Sequence, residues 1–111
     1  MSTKKEIEEA LNSVKNKFND PKLKSRFASF SKNMQFSFPD LETSYSIKVE
    51  NGIVKSLKEE KIDQPDIIVT IESQILIDII NKKINPMKAY TTGKLKAKGK
   101  LTDLLKLQKI L

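Results

Sequence analysis

The chain has 111 residues, 21 Lys plus Arg against 14 Asp plus Glu, a net charge of +7, and neither Cys nor His. That length suits one domain, residues 1–111, around one core. The two missing residue types exclude disulfides, thiolate nucleophiles, Ser-His-Asp and Cys-His catalysis, and metal sites built on Cys or His. The charge balance points to an anionic partner: nucleic acid, a lipid surface or an anionic ligand. The excess is almost entirely lysine and reads as scattered, which solubility alone would also produce. No apolar run approaches the ~20 residues of a membrane span. The start, Met1-Ser2-Thr3-Lys4-Lys5-Glu6, is too charged to lead into a signal-peptide core, and the end, Lys109-Ile110-Leu111, is not the Ser-Lys-Leu peroxisomal address. A cytoplasmic location is the expectation.

Thr3 and Glu6 form a capping box, and Ile7, Ala10, Leu11, Val14 and Phe18 follow at helical spacing. Asn19-Asp20-Pro21 stops that helix and starts a second, with Asp20 as N-cap, Pro21 at its first position and a stripe of Leu23, Phe27 and Phe30. Met34, Phe36 and Phe38 alternate with Gln35 and Ser37, a half-buried strand that ends at Pro39-Asp40. Tyr45, Ile47 and Val49 alternate in the same way. Asn51-Gly52 then gives a strong hairpin signal, because both residues tolerate positive φ, and Ile53 to Leu57 is the return strand. The three strands predict an antiparallel meander with one oily and one wet face.

Lys58 to Gln64 reads as a charged loop. Ile67 to Ile71 is a fourth strand, apolar on both faces apart from Thr70, so a central, covered position is expected. Ser73 is the expected cap of the next helix. Its Ile75, Leu76, Ile77, Ile79 and Ile80 cover about 200°, wider than the ~100° of an ordinary surface helix. Asn85-Pro86 starts a short helix and Gly93 ends it. Lys94, Lys96, Lys98 and Lys100 then alternate with Leu95, Ala97, Gly99 and Leu101. This is a fifth strand with a lysine outer face, and Ala97 and Gly99 are expected to leave room above the sheet. The last helix carries Leu101, Leu104, Leu105, Leu107, Gln108 and Leu111 on one arc. An amide set among leucines needs a partner or costs ~1–3 kcal/mol, so Gln108 implies either a bond to local backbone or to solvent at an unpacked edge, or a polar contact at the mouth of a ligand cavity.

The run Asn85-Pro86-Met87-Lys88-Ala89-Tyr90, Gly93-Lys94-Leu95-Lys96-Ala97-Lys98-Gly99 and Lys106-Leu107-Gln108, with Pro65-Asp66 leading into a strand, resembles the sterol carrier protein type 2 family. The upstream elements agree with that family in order and spacing. The resemblance implies an α/β fold of the α+β type: a five-stranded sheet in order 3-2-1-4-5, with helices packed on one face enclosing an apolar cavity. It implies no catalytic residues and no cofactor. It also implies a carrier for fatty acids, fatty acyl-CoAs, phospholipids or sterol-like ligands.

Candidate lining residues are Phe36, Phe38, Ile47, Val49, Ile71, Met87, Tyr90, Leu104, Leu105, Gln108 and Leu111. Each is equally compatible with plain core packing. Transient contact with an anionic membrane surface fits the net charge. The alternative is a small basic nucleic-acid-binding module, resting on the lysine strand. Against it stand a single Arg, Arg26, and aromatics on buried faces. An enzyme is the weakest reading, because Asp66, Glu72, Asp78 and Asp103 are paired with no base or nucleophile at a recognisable spacing.

Overall fold

The computed structural model describes residues 2–111. In chain order the elements are α1 (Lys4–Lys17), α2 (Pro21–Phe27), β1 (Asn33–Phe38), β2 (Thr43–Glu50), β3 (Ile53–Lys58), β4 (Ile67–Ile71), α3 (Ser73–Ile80), α4 (Pro86–Thr91), β5 (Leu95–Lys98) and α5 (Leu101–Leu107). The strands form one sheet in the order β3-β2-β1-β4-β5. β1 is parallel to β4, and the other pairings are antiparallel.

The register aligns Met34 with Ile47 and Ile67, Phe36 with Tyr45 and Val69, and Val69 with Ala97. Strand alternation therefore puts these residues on one face. That face meets Ile7, Leu11 and Val14 of α1 and Leu76 and Ile79 of α3, all buried. The Thr3–Glu6 capping box forms as predicted and fixes the start of α1. The Tyr45 hydroxyl donates to Glu8 of α1 at 2.8 Å, tying helix to sheet. Burial and the neighbouring Glu8 carboxylate both push the Tyr45 phenol above its usual pKa.

Several local expectations change. Phe30 lies past the end of α2 rather than on it. It closes a cluster with Phe18 and Phe27, ring centroids 5.1–6.1 Å apart. The Asn51-Gly52 turn forms with φ of 51° and 77°. A Cβ on Gly52 would stand 2.4 Å from the Phe27 carbonyl oxygen, so the hairpin tip packs under α2 where only glycine fits. β3 is an edge strand: Val54 and Leu57, paired with Val49 and Ile47, pack half-buried against the core, whereas Ile53 is 55% exposed. β4 is interior, as expected, but only Ile67, Val69 and Ile71 are fully buried, with Ile68 and Thr70 half-covered on the other face. α3 is capped by position rather than by its own serine. Glu72 is the N-cap residue, and Ser73 gives its N–H (3.0 Å) and hydroxyl (2.5 Å) to the Asp40 carboxylate. The wide arc of α3 divides into a buried stripe, Leu76 and Ile79, and half-buried flanks, Ile75, Ile77 and Ile80.

The connection 59–66 is not a free loop. β3 and β4 lie on opposite sides of the β2–β1 pair, so this segment crosses the face away from the helices. There Gln35 donates to the Glu60 carbonyl (3.0 Å) and accepts from the Ile62 N–H (2.7 Å), while the Ser46 hydroxyl donates to the Glu60 carboxylate (2.6 Å). Gln35 and Ser46 are thereby buried and satisfied, which explains polar residues on a covered sheet face.

Candidate apolar groove

At the β5 end the helix-facing side of the sheet is not sealed. Asn85 accepts from the N–H groups of Met87 (2.8 Å) and Lys88 (3.3 Å), and Pro86 takes the first helical position, so α4 starts at a fixed point. Met87 and Tyr90, three residues apart, then share one face. Leu95 and Ala97 supply the floor from β5. Leu101, Leu104, Leu105, Leu107, Gln108 and Leu111 close the third side.

Together with Pro86 these residues enclose a groove of about 80 Å³. Gln108 is the single amide among its lining residues, and the Tyr90 hydroxyl is the other side-chain polar group. The groove opens to solvent, since Leu101 is 71% exposed, Tyr90 and Leu105 46% each, and Met87 40%. The Lys98–Leu101 step leaves β5 after only four residues, with Gly99 at φ +154°. The expectation of empty space at Gly99 is wrong in detail. A Cβ there would meet the Asp66 carbonyl at 3.1 Å and the Ile67 side chain at 3.3 Å, so the small residue serves β4, not the groove. The room comes from Ala97.

α5 is held along its other side. Leu107 and Ile110 are buried, Asp103 in its first turn pairs with Lys32 at 3.5 Å, and the Lys106 ammonium sits 5.9 Å from the Phe30 ring centroid. Gln108 is half-buried. No buried side-chain polar atom among the described residues lacks a partner, so its amide is not stranded and meets solvent at the groove's edge. Beyond Leu105 and Gln108 lies a second hollow, lined by Arg26, Phe27, Lys106 and Lys109 as well as those two. One wall is thus shared between an apolar groove and a cationic one.

Of the residues proposed from sequence, Met87, Tyr90, Leu104, Leu105, Gln108 and Leu111 come together here. Phe36, Phe38, Ile47, Val49 and Ile71 do not. They are at most 4% exposed and belong to the closed core beneath α1 and α3. Pro86, Leu95, Ala97, Leu101 and Leu107 complete the groove. Leu95 and Ala97 were legible as the inner face of β5, whereas nothing in the pattern singled out Pro86, which reads only as a helix starter. Among the described residues no cluster of acidic side chains could hold a metal ion, and no helix is long and apolar enough to cross a membrane.

Residues 11–111 match the model of the SCP-2 sterol transfer family. The chain belongs to this family. Its domains bind and transfer lipids, and the resemblance noted in the lysine strand and the Asn-Pro helix extends over nearly the whole chain. Among solved structures, the sterol carrier protein domain 2 of Helicoverpa armigera superposes with a TM-score of 0.75 at 23% identity, covering 95% of this chain and 84% of that one. Palmitated SCP2L2 from Aedes aegypti gives 0.70 at 14% identity, with 91% and 89% covered. The sec-alkylsulfatase Pisa1 from Pseudomonas sp. gives 0.66 at 18% identity, with 78% of this chain covered. This chain spans only 14% of the sulfatase. At these identities the likeness concerns the fold. No curated protein sequence matches the chain.

Proposed function

We propose that this chain is a non-catalytic lipid carrier that holds the acyl chain of a fatty acid, fatty acyl-CoA or phospholipid in the α4–β5–α5 groove and works in the cytoplasm. The observation that carries this reading is the groove itself: three converging elements whose apolar side chains face one another and leave space. Each methylene moved from water into it contributes about 0.8 kcal/mol. Such contacts have no direction, so selectivity among chains is broad. The cationic hollow beyond Leu105 and Gln108 suits a carboxylate or phosphate headgroup at one end of the chain. That a fold of this kind accommodates an acyl chain is supported by the palmitated mosquito protein.

The groove's 80 Å³ is well below the ~300–1,000 Å³ of typical ligand pockets. Loading therefore requires α5 to move away from α4. The half-exposed Leu104 and exposed Leu105 permit that movement without opening the core under α1 and α3.

The test is displacement of a fluorescent fatty acid, comparing the native chain with Leu104→Asp. The variant should lose at least about tenfold in affinity, because a carboxylate in an apolar wall must be desolvated, while its urea midpoint stays near that of the native protein. A folded Leu104→Asp protein that binds fatty acid normally would remove the groove as the site. Native mass spectrometry of protein purified from cells should show a co-purifying acyl lipid.

A further inference from the structure

Residues 82–111 hold nine lysines and one acid, Asp103. That acid is not at the surface. It is 7% exposed, in the first turn of α5, and it pairs with Lys32 from the connection between α2 and β1. Two ion pairs form among the described residues. Lys4–Glu59 lies in the open, with side chains 56% and 41% exposed, whereas Lys32–Asp103 is sheltered at 26% and 10%. About one turn further along α5, the Lys106 ammonium stands 5.9 Å from the Phe30 ring centroid. Both charged contacts of α5 therefore land on the same short segment, Phe30 to Lys32.

Little else secures this helix. α5 has seven residues, too few to be stable alone. Its N-cap residue, Lys100, makes no side-chain capping bond. Leu107 and Ile110 are buried, while Leu101, Leu104, Leu105, Gln108 and Leu111 line the groove and stay half-buried or exposed. The pivot is placed as well. Only Gly99 and Lys100 join β5 to α5, and Gly99 lies so close to the sheet that a Cβ would stand 3.1 Å from the Asp66 carbonyl oxygen. Gly99 thus stays with β4, and α5 swings beyond it. From this arrangement we infer that the Lys32–Asp103 pair, seconded by Lys106 on Phe30, is a clip that holds α5 shut over the groove and sets how fast the groove loads. The inference rests on the carrier reading for what enters the groove, and on the geometry of α5 alone for the clip.

The closed groove is too small for an acyl chain, so the open state is the one that binds. Every contact that favours the closed state then lowers the apparent affinity in proportion. An ion pair suits this task. When α5 swings away, water satisfies the Asp103 carboxylate and the Lys32 ammonium, so opening strands neither charge. Its net worth is small, as is that of a lysine over an aromatic ring, so thermal motion can release it. Lys32 and Asp103 line neither the apolar groove nor the cationic hollow beside it. They are positioning residues that act through α5.

The experiment is stopped-flow loading of a neutral fluorescent fatty acid methyl ester, read beside amide hydrogen exchange. Asp103→Asn should speed loading about two- to fivefold and tighten the apparent affinity by a similar factor. Amides from Leu104 to Lys109 should exchange faster, and those of α1 should not change. Lys32→Gln should also speed loading, and it should add little in the Asp103→Asn background, because the two side chains act as one pair. Lys4→Gln, which breaks the exposed pair, should leave loading as it is. Slower loading with weaker affinity in both single variants would make the pair a structural support of the groove wall and overturn the clip. Unchanged rates, or fully additive effects of the two substitutions, would overturn it too. The exchange readout needs no ligand. If α5 exchange rises in the variants while no chain, native included, loads the ester, the carrier reading is refuted and the clip stands.

Discussion

The centre of the sheet and its β5 edge, on the same face, make the most instructive contrast in the molecule. Under α1 and α3, the side chains of β1 are Met34, Phe36 and Phe38, all fully buried. Under α4 and α5, the side chains of β5 are Leu95 and Ala97, and the helices above them are six and seven residues long. The polarity pattern is the same in both places; the size of the side chains and the length of the covering helices differ. Three bulky residues beneath a 14-residue helix close the centre to 0% exposure. An alanine beneath two short helices leaves the β5 edge open, with leucines facing solvent. A cavity here is a shortage of volume, not of apolar character, and close-packed interiors leave few such voids without reason.

That contrast can be broken most severely at the closed centre. Phe36→Ala should cost about 3–5 kcal/mol in urea denaturation, because it opens a cavity in a region that cannot collapse. Leu101→Ala at the open edge, where the side chain is 71% exposed, should shift stability by no more than about 0.5 kcal/mol. Comparable losses at the two positions would mean that α5 is packed as tightly as the core.

Next in size is Gly52→Ala. The positive φ alone costs about 1–3 kcal/mol, and the 2.4 Å approach to the Phe27 carbonyl adds to it. The damage should fall on the α2–hairpin junction, with amide exchange rising at Gly52 and Phe30, whose N–H and carbonyl are joined at 2.9 Å, while groove residues keep their shifts.

Ala97→Phe sharpens the comparison from the other side by giving β5 the bulk that β1 has. Stability should change by about 1 kcal/mol or less, because the half-exposed site has room toward solvent, and fatty acid affinity should drop at least tenfold. Retained affinity would place the acyl chain elsewhere.

The smallest effect concerns Asp40 and α3. Desolvation pushes the Asp40 carboxyl up, but the hydroxyl and N–H of Ser73 outweigh it and hold its pKa below the usual carboxylate value. A group whose folded pKa is depressed contributes stability above its unfolded pKa and loses it as pH falls through the folded one. Asp40→Asn should therefore cost up to about 1 kcal/mol at neutral pH, in the range of a helix cap, and the difference from the native chain should shrink to nothing under strongly acidic conditions. A difference that persists undiminished at low pH would show that charge plays no part in the link.

Most of the fold was legible because its signals are local. The capping box at Thr3 and Glu6, the Asp20-Pro21 start, the Asn51-Gly52 turn and the Asn85-Pro86 start each announce themselves within a few residues. What escaped was decided at long range. Nothing near Ser73 reveals that Asp40, 33 positions away, will bind it. Nothing near Gln35 reveals that it will hold the crossing segment at Glu60 and Ile62. The same limit divided the candidate site. Alternation on β1, β2 and β4 identifies which residues face the helices, but not whether a helix seals them, so Phe36, Phe38, Ile47, Val49 and Ile71 could not be separated from Met87, Tyr90, Leu104, Leu105, Gln108 and Leu111.

The most direct measurement is a methyl-resolved NMR titration of the chain with a fatty acid. Signals from Met87, Leu101, Leu104, Leu105 and Leu111 should shift together and saturate, while those of Ile7, Leu11, Met34 and Leu76 in the closed core stay nearly in place. Shifts concentrated in the core beneath α1 and α3, or no saturable shift at all, would contradict the assignment of the groove as the lipid site.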